Sequence, residues 1–120
     1  MTNIISIGRN YEDNGLQKQL THIEWEFFKK DIYALFEEVY FFGEGIGYLD
    51  APVCSISETS YTVIGAIKED PNTIENIREL AKKYKQKEIA ITHGKTRFVK
   101  ANKEDEEVNR PTHFLETFAF

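Results

Sequence analysis

Residues 39–67 read VYFFGEGIGYLDAPVCSISETSYTVIGAI, and this stretch decides the predicted fold. Residues 39–49 and 58–67 are rich in aromatic and β-branched side chains, which favour strands. Residues 50–57 between them contain Pro52 and predict a loop. Two strands therefore follow one another with no helix between them. This order differs from the alternating strands and helices of a parallel sheet.

An amphipathic helix is predicted on each side of this strand pair. The first begins after Thr21, which with Glu24 has the spacing of a capping box. The second begins near Asn72 or Thr73. The apolar residues that recur at helical spacing, and that we therefore expect to be buried, are Trp25, Phe28, Ile32 and Leu35 in the first helix and Ile74, Ile77, Leu80, Ala81 and Tyr84 in the second.

Further strands are predicted at residues 3–8, 88–93 and 96–100, and a turn at Gly94-Lys95 joins the last two. Residues 9–19 are polar and predict a connection with a turn at Asn14-Gly15. The element order is that of the split βαβ motif. We therefore predict an α+β fold, a ferredoxin-like βαββαβ domain with an extra C-terminal hairpin strand and an aromatic tail. Its sheet should be antiparallel, with both helices on one face.

The chain is predicted to form one domain over residues 1–101, followed by residues 102–120. This second part begins with a charged linker and ends in an apolar tail that carries Phe114, Leu115, Phe118 and Phe120. A tail this apolar is expected to pack on its own domain or on a neighbouring subunit. We therefore expect a homo-oligomer.

Composition narrows the class of protein. The 120 residues include 15 Lys and Arg against 20 Asp and Glu, a net charge of -5, which argues against a general DNA- or RNA-binding protein. No run of about 18 apolar residues is present, so no membrane span is predicted. The single cysteine, Cys54, cannot form an internal disulfide, and the N-terminus lacks the pattern of a secretory signal. We predict a cytoplasmic protein.

Three motifs are assigned no chemistry. The glycines of residues 43–47 lie in or after a strand rather than before a helix, so they predict a bulged strand end or a close backbone approach instead of a nucleotide-binding loop. Cys54 could act as a nucleophile with His93 or His113 as base, but a small buried cysteine is the more common use. The three histidines lack ligand spacing, and we assign neither a metal nor a cofactor.

Candidate ligand-binding residues occur in three places. Arg9 and Asn10 follow the first strand, and Lys95 and Arg97 lie at the last turn. An arginine offers a planar fork for a carboxylate or phosphate, although an ordinary surface salt bridge fits the sequence equally well. Tyr48 and Glu58 flank the predicted loop of residues 50–57. The two residues can meet at one end of the sheet and contact a ligand, or they can be ordinary surface residues of a hairpin. The predicted ligand-binding residues are Arg9, Asn10, Tyr48, Glu58, Thr59, Tyr61, Lys95 and Arg97.

The chain resembles the phage-encoded S-adenosylmethionine lyases. The similar features are a first strand that ends in an arginine at residues 4–9, a helix, then Gly47-Tyr48 with Glu58 a loop-length later, and a final strand pair at 88–91 and 97–99. In that family the corresponding tyrosine and glutamate face the ligand at a subunit interface of a trimer. The resemblance therefore implies that Tyr48 and Glu58 contact the ligand as the catalytic residues, in a phage protein that counters a host defence.

The reaction that the resemblance implies needs little from the protein. The sulfonium of the ligand is already a leaving group, and the ligand's own carboxylate can attack the γ-carbon to give methylthioadenosine and homoserine lactone. The protein then has only to hold the ligand folded and exclude water. The sequence shows no catalytic dyad, and this reaction requires none.

Two other functions stay open on the residues alone. A non-catalytic sponge for a cyclic-nucleotide immune signal would bind phosphates through cationic side chains and bases through aromatic rings. The phosphate-binding residues would be Arg9, Lys95 and Arg97, and the stacking residue would be Tyr48, Tyr61 or Trp25. An inhibitor of a host protein would use an exposed sheet face or the tail. The sequence does not decide whether the protein is an enzyme.

Overall fold

The computed structural model describes residues 2–50 and 55–105, and within the strands the side chains of residues 47–50, 55–56 and 95–96 are not described. The elements in chain order are β1 (Asn3–Gly8), β2 (Asn10–Asp13), β3 (Leu16–Gln19), α1 (His22–Tyr33), β4 (Phe36–Asp50), β5 (Ser55–Ile67), α2 (Thr73–Lys83), β6 (Glu88–His93) and β7 (Lys95–Lys100). Residues 103–105, predicted as part of a charged linker, are helical. None of the described helical segments combines the length and the apolar character needed to cross a bilayer.

Five strands form one antiparallel sheet in the order β4-β5-β1-β6-β7. The first strand, β1, therefore lies at the centre, and the predicted extra strand β7 forms one edge. Helix α1 precedes β4, and α2 connects β5 to β6. The predicted α+β class is confirmed.

Residues 10–19 form a hairpin that was predicted only as a polar connection. Strand β2 pairs with β3, and the turn residues Asn14 (φ 51°) and Gly15 (φ 81°) both have positive φ, as in the type I′ turns of tight hairpins. The two strands were missed because no alternation of apolar side chains marks them. The sequence feature that could have predicted this hairpin is the Asn14-Gly15 pair, which favours tight hairpin turns.

The β4–β5 hairpin is longer than predicted. Strand β4 continues to Asp50 and β5 begins at Ser55, so the predicted loop over residues 50–57 is strand except for residues 51–54, which lie outside the described residues. Ladder hydrogen bonds between main chains hold such a hairpin together. The added length of these strands could not be predicted from strand propensity, because Gly, Ser and Asp, which occur in the added residues, have low strand propensity.

The core lies between the two helices and one face of the sheet. Buried and less buried residues alternate along β1 and β6, and the buried ones face α1 and α2. The buried apolar residues are Ile5, Ile7, Leu20, Trp25, Phe28, Ile32, Phe36, Tyr61, Val63, Ile77, Ala81, Tyr84, Ile89, Ile91 and Val99. Leu35, Ile74 and Leu80 pack against this core while partly exposed. Both helices therefore pack on the same face.

The predicted capping box of α1 is formed. Thr21 Oγ1 accepts a hydrogen bond from the Glu24 N–H at 3.2 Å, and Glu24 Oε1 accepts one from the Thr21 N–H at 3.0 Å. Thr21→Ala removes the first bond and should lower the free energy of unfolding by about 1 kcal/mol, measured by urea denaturation. Thr21→Ser keeps the oxygen and should be nearly neutral. An equal loss in both variants would show that the cap contributes nothing.

Candidate functional site

The end of β1 lies against β5, at the place where the sequence predicted a site. The Arg9 N–H donates to the Thr59 carbonyl at 3.0 Å, and Asn10 Nδ2 donates to the Ser57 carbonyl at 3.1 Å. These bonds continue the β1–β5 pairing beyond the end of β1. The structure thereby brings Arg9 and Asn10 next to the segment that contains Glu58.

Glu58 lies over Gly8 on the face of the sheet opposite the helices. A Cβ built on Gly8 would lie 1.7 Å from Glu58 Oε1 and 2.4 Å from its Cδ, so the carboxylate occupies the space that a side chain at position 8 would fill. Gly8 was missed as a site residue, and the available signal was a glycine at the end of the first strand. We call Gly8, Asn10 and Glu58 the Glu58 junction.

The Glu58 carboxylate is half-buried, and no countercharge lies beside it among the described residues. Burial raises its pKa above the usual 4.5, and the Asn10 N–H, which favours the ionised form, offsets part of this effect. Among the described residues, no lysine or arginine forms an ion pair with Glu58. An ionised carboxylate that is withdrawn from water without a countercharge is unfavourable. A cation bound beside the carboxylate would therefore favour its ionised form.

Glycines make the surface beside the junction flat. Gly43 and Gly45 occupy alternate positions of β4 and so share one face. A Cβ on Gly43 would come no closer than 3.6 Å to Phe41, and one on Gly45 no closer than 4.0 Å to Ser60 Oγ. The register shifts of β4 occur before these glycines. The prediction of a bulge or a close backbone approach was therefore wrong for Gly43 and Gly45, which instead leave open space near Glu58.

Arg9 lies on the helix side of the sheet, away from Glu58. Its Nε donates to the carbonyl of the buried residue Leu20 at 2.8 Å. Side chains alternate between the two faces along a strand, so Gly8 and Arg9 belong to opposite faces. A carboxylate or phosphate held by Arg9 would lie on the other side of the sheet from a cation held by Glu58. The sequence placed both residues in one site, and the structure separates their side chains.

A second group of side chains joins α1 to β4 and β5 on the helix side. Trp25 Nε1 donates to Glu44 Oε1 at 2.9 Å, and Lys29 Nζ donates to the same oxygen at 2.6 Å. The Lys29 bond is the main reason that the pKa of Glu44 is lowered. Lys29 Nζ also lies 5.9 Å from the ring centre of Tyr61. Because Tyr61 is only 7% exposed, its ring belongs to the core and leaves little area for stacking on a ligand.

The other predicted site residues are distant from the junction or have undescribed side chains. Tyr48 pairs with Ser57 rather than with Glu58, and its side chain lies outside the described ones. Arg97 lies on β7, three strands from β5, which places its backbone at least about 14 Å from that of Glu58. Lys95 begins the same strand, and its side chain is also not described. The structure therefore does not bring Arg97 together with Arg9 or Glu58.

A cavity of about 700 Å³ opens at the other end of the sheet, where Asn3, Thr73 and His93 contribute to its wall. Asn3 Nδ2 and His93 Nδ1 are 3.0 Å apart there, while Cys54 and His113 lie outside the described residues. Within residues 2–50 and 55–105, no group of three His, Cys, Asp or Glu side chains is placed to hold a metal.

The Glu58 junction is partly exposed in a single chain, so a second surface would be needed to enclose a ligand.

Glu58→Gln is expected to stabilise the fold at neutral pH. Because the pKa of Glu58 is raised on folding, its contribution to stability is present below pH 4.5 and is lost as the pH rises through the folded-state pKa. The neutral glutamine avoids that loss, so the variant should melt a few degrees higher than the parent at about pH 7 and show no advantage at about pH 4. Thermal melts at the two pH values measure this difference, and exposed Glu69→Gln is the control. A lower melting temperature at neutral pH would mean that the ionised form is needed by the fold.

No protein-family model and no curated protein sequence matches the chain. Among solved structures, a phage S-adenosylmethionine lyase in its apo state is 13% identical with a TM-score of 0.42, over 82% of this chain and 80% of that chain. A phage S-adenosylmethionine lyase in complex with S-methyl-5'-thioadenosine is 11% identical with a TM-score of 0.41, over 82% of this chain and 88% of that chain. Similarity at TM-scores below 0.5 carries no argument about function.

Proposed function

We propose that the protein binds a cationic, adenosine-containing small molecule at the Glu58 junction. The specific proposal is a phage-type counter-defence enzyme that cleaves S-adenosylmethionine to methylthioadenosine and homoserine lactone. The observation that supports it is the half-buried Glu58 carboxylate, whose pKa is raised by burial and which forms no ion pair among the described residues. A sulfonium placed beside this carboxylate would supply the missing positive charge without carrying a proton.

The geometry of the junction fits such a ligand. Gly8 lets the carboxylate lie directly on the backbone of β1, and the flat surface at Gly43 and Gly45 leaves room next to it. Arg9 is held by the Leu20 carbonyl on the other face, so it does not neutralise the carboxylate of a ligand bound at Glu58. That ligand carboxylate stays free to act as the nucleophile.

The proposed reaction balances without help from a protein acid or base. One carboxylate oxygen of the ligand forms a bond to the γ-carbon while the bond from that carbon to sulfur breaks, and sulfur keeps the electron pair. The positive charge on sulfur disappears along this path. Glu58 therefore acts chiefly by binding and orienting the sulfonium, since its attraction weakens toward the transition state. Tyr48 is proposed to contact the adenosine end.

The sheet order and the positions of the two helices support a ferredoxin-like fold with one added edge strand. In this reading β1, α1, β4, β5, α2 and β6 form the split βαβ unit. Exposed apolar side chains along β4, namely Tyr40, Phe41, Phe42 and Ile46, support self-association, and a neighbouring subunit could then enclose the junction. A trimer is preferred only because of the family resemblance.

A cyclic-nucleotide sponge is the second candidate. It needs several cations that converge on phosphates, and the separation of Arg97 from Arg9 counts against that arrangement within one chain. Binding of a host protein is the third candidate, and the exposed apolar residues of β4 favour it as much as they favour self-association.

One experiment separates these candidates. The purified protein is incubated with S-adenosylmethionine and, separately, with a panel of cyclic nucleotides, and the recovered masses are measured. Methylthioadenosine and homoserine lactone are expected from the first incubation. Recovery of a bound, intact cyclic nucleotide would favour the sponge, and unchanged free ligands throughout would favour a protein partner.

Light scattering should find an oligomer at micromolar concentration. A monomer would contradict a ligand site that a neighbouring subunit encloses.

A further inference from the structure

The face of the sheet opposite the helices carries two uncharged rows of cross-strand neighbours, which together we call the open face. One row contains Phe41, Ile64, Ile4 and Thr92, and the next contains Gly43, Thr62, Ser6, Ala90 and Phe98. Phe41 is 61% exposed and Phe98 is 40% exposed, with smaller side chains between them. No described element covers these rows. Contiguous apolar patches can mark interaction sites, and Phe41, Ile64 and Ile4 are adjacent apolar residues of this face.

The described chain ends on the helix side of the sheet, five residues after the edge strand β7. Lys103 Nζ lies 3.7 Å from Glu75 Oε1 of α2, and the Asp105 N–H donates to the Asn102 carbonyl at 3.1 Å. The last described residues therefore lie beside α2, shortly after the edge strand β7. This position restricts which surfaces the following residues reach first.

The sequence of residues 106–120 matches the open face in its pattern. Its apolar residues recur at the i, i+3, i+4, i+7 spacing of one helix face, as Pro111, Phe114, Leu115 and Phe118. Three of its charged residues, Glu106, Glu107 and Arg110, precede this stripe. The segment thus divides into a charged connection and an apolar part, and the apolar part suits a surface without charges.

We propose that residues 106–120 cross the β7 edge and cover the open face of their own chain, with Phe114, Leu115 and Phe118 packed on the two uncharged rows. Six extended residues, 106–111, span up to about 20 Å, which exceeds the roughly 10 Å between adjacent layers. A helix over residues 112–120 would be about 14 Å long and would fit across five strands, which are about 20 Å wide. This proposal does not depend on the proposed function.

Chymotryptic cleavage of the full-length chain tests the proposal. Chymotrypsin cuts after Phe and Leu, so a docked segment is cut slowly at residues 114–118, and intact mass identifies the cut. Ala90→Arg places a charge in the middle of the open face and should speed this cleavage about tenfold, because cleavage follows the population of the released segment. Ala34→Arg, an exposed alanine at the end of α1, is the matched control and should leave the rate unchanged. Equal rates in all three proteins would overturn the proposal.

Disulfide trapping identifies which chain supplies the segment. In a full-length protein with Cys54 replaced by serine, Ala90→Cys and Ala119→Cys are introduced together and oxidised. A disulfide within one chain supports the proposal. A disulfide between chains, seen as a covalent dimer, overturns it in favour of a second copy as the occupant, and the absence of any disulfide overturns docking altogether. Trp25 fluorescence in each variant reports that the core is intact.

Discussion

Glu58→Gln should lower kcat/KM for S-adenosylmethionine by about 10- to 100-fold, because a contact with a charged group contributes about 1.5–3 kcal/mol. The glutamine keeps the shape of the side chain, and the fold should be at least as stable as the parent at neutral pH. We expect most of the loss in KM, since the charge on the sulfonium falls toward the transition state. Release of methylthioadenosine at several substrate concentrations measures both constants. Exposed Glu69→Gln should leave them unchanged.

A cyclic-nucleotide sponge would respond to the same variant in the opposite sense. Removal of the negative charge at Glu58 would then leave binding intact or strengthen it, and Arg9→Ala would abolish it. If neither substitution changes the binding or turnover of either ligand, the junction is not the site. Binding of a host protein then becomes the better explanation.

Gly8→Ala should lower kcat/KM for S-adenosylmethionine as Glu58→Gln does, although it leaves the Glu58 carboxylate itself unchanged. The new Cβ would lie 1.7 Å from Glu58 Oε1, and the flexible end of the glutamate has to move away. The fold should persist because only a side chain shifts. In the double variant Gly8→Ala with Glu58→Gln, kcat/KM should be little lower than in either single variant, because the effects of substitutions at contacting residues do not add. Losses that simply add would show that Gly8 acts independently of Glu58.

Gly65→Ala is expected to have the largest effect on stability, a loss of about 3 kcal/mol or more, at the upper end of the range for overpacked sites. A Cβ at position 65 would lie 2.0 Å from the Glu38 carbonyl oxygen and 3.0 Å from the Val39 Cα. Both are backbone atoms, so the new atom can be accommodated only if β4 moves away from β5. A close backbone approach was predicted for the glycines of residues 43–47, and it occurs instead at Gly65. The melting temperature should fall by more than about 10 °C.

Gly45→Ala is the matched control for Gly65→Ala. Its Cβ would come no nearer than 4.0 Å to Ser60 Oγ, in the same pair of strands. We expect a change within about 0.5 kcal/mol, as for an ordinary surface substitution. Similar melting temperatures for the two variants would mean that the bulged part of β4 adapts to a side chain at position 65.

The helices and their buried stripes could be predicted because their signals are local. The Thr21–Glu24 cap lies within four residues of chain, and Trp25, Phe28 and Ile32 are buried, as their spacing indicates. The β2–β3 hairpin and the extension of β4 and β5 could not be predicted from apolar alternation. Their strands are polar or rich in glycine, and main-chain pairing holds them.

The candidate site was predicted in its position along the chain but not in its arrangement. The meeting of Arg9 and Asn10 with residues 57–59 followed from the order of strands around β1. Which side chains share a face depends on register, and a shift of one residue moves a side chain to the other face. The register puts Glu58 over Gly8 and leaves Arg9 on the helix side, bonded to Leu20.

By itself, the sequence determined the α+β class, the order of the main elements, both helices with their apolar stripes, and the two chain segments from which the candidate site is built. Only the tertiary structure decided that Glu58 lacks a countercharge among the described residues, that Arg97 lies on a distant strand, and that the two helices leave the opposite face of the sheet to elements other than the described ones. The reason is physical: caps, turns and periodicity act between near neighbours in the chain. Burial, charge pairing and the choice of face arise from contacts between residues far apart in sequence, such as Gly8 with Glu58 and Glu38 with Gly65.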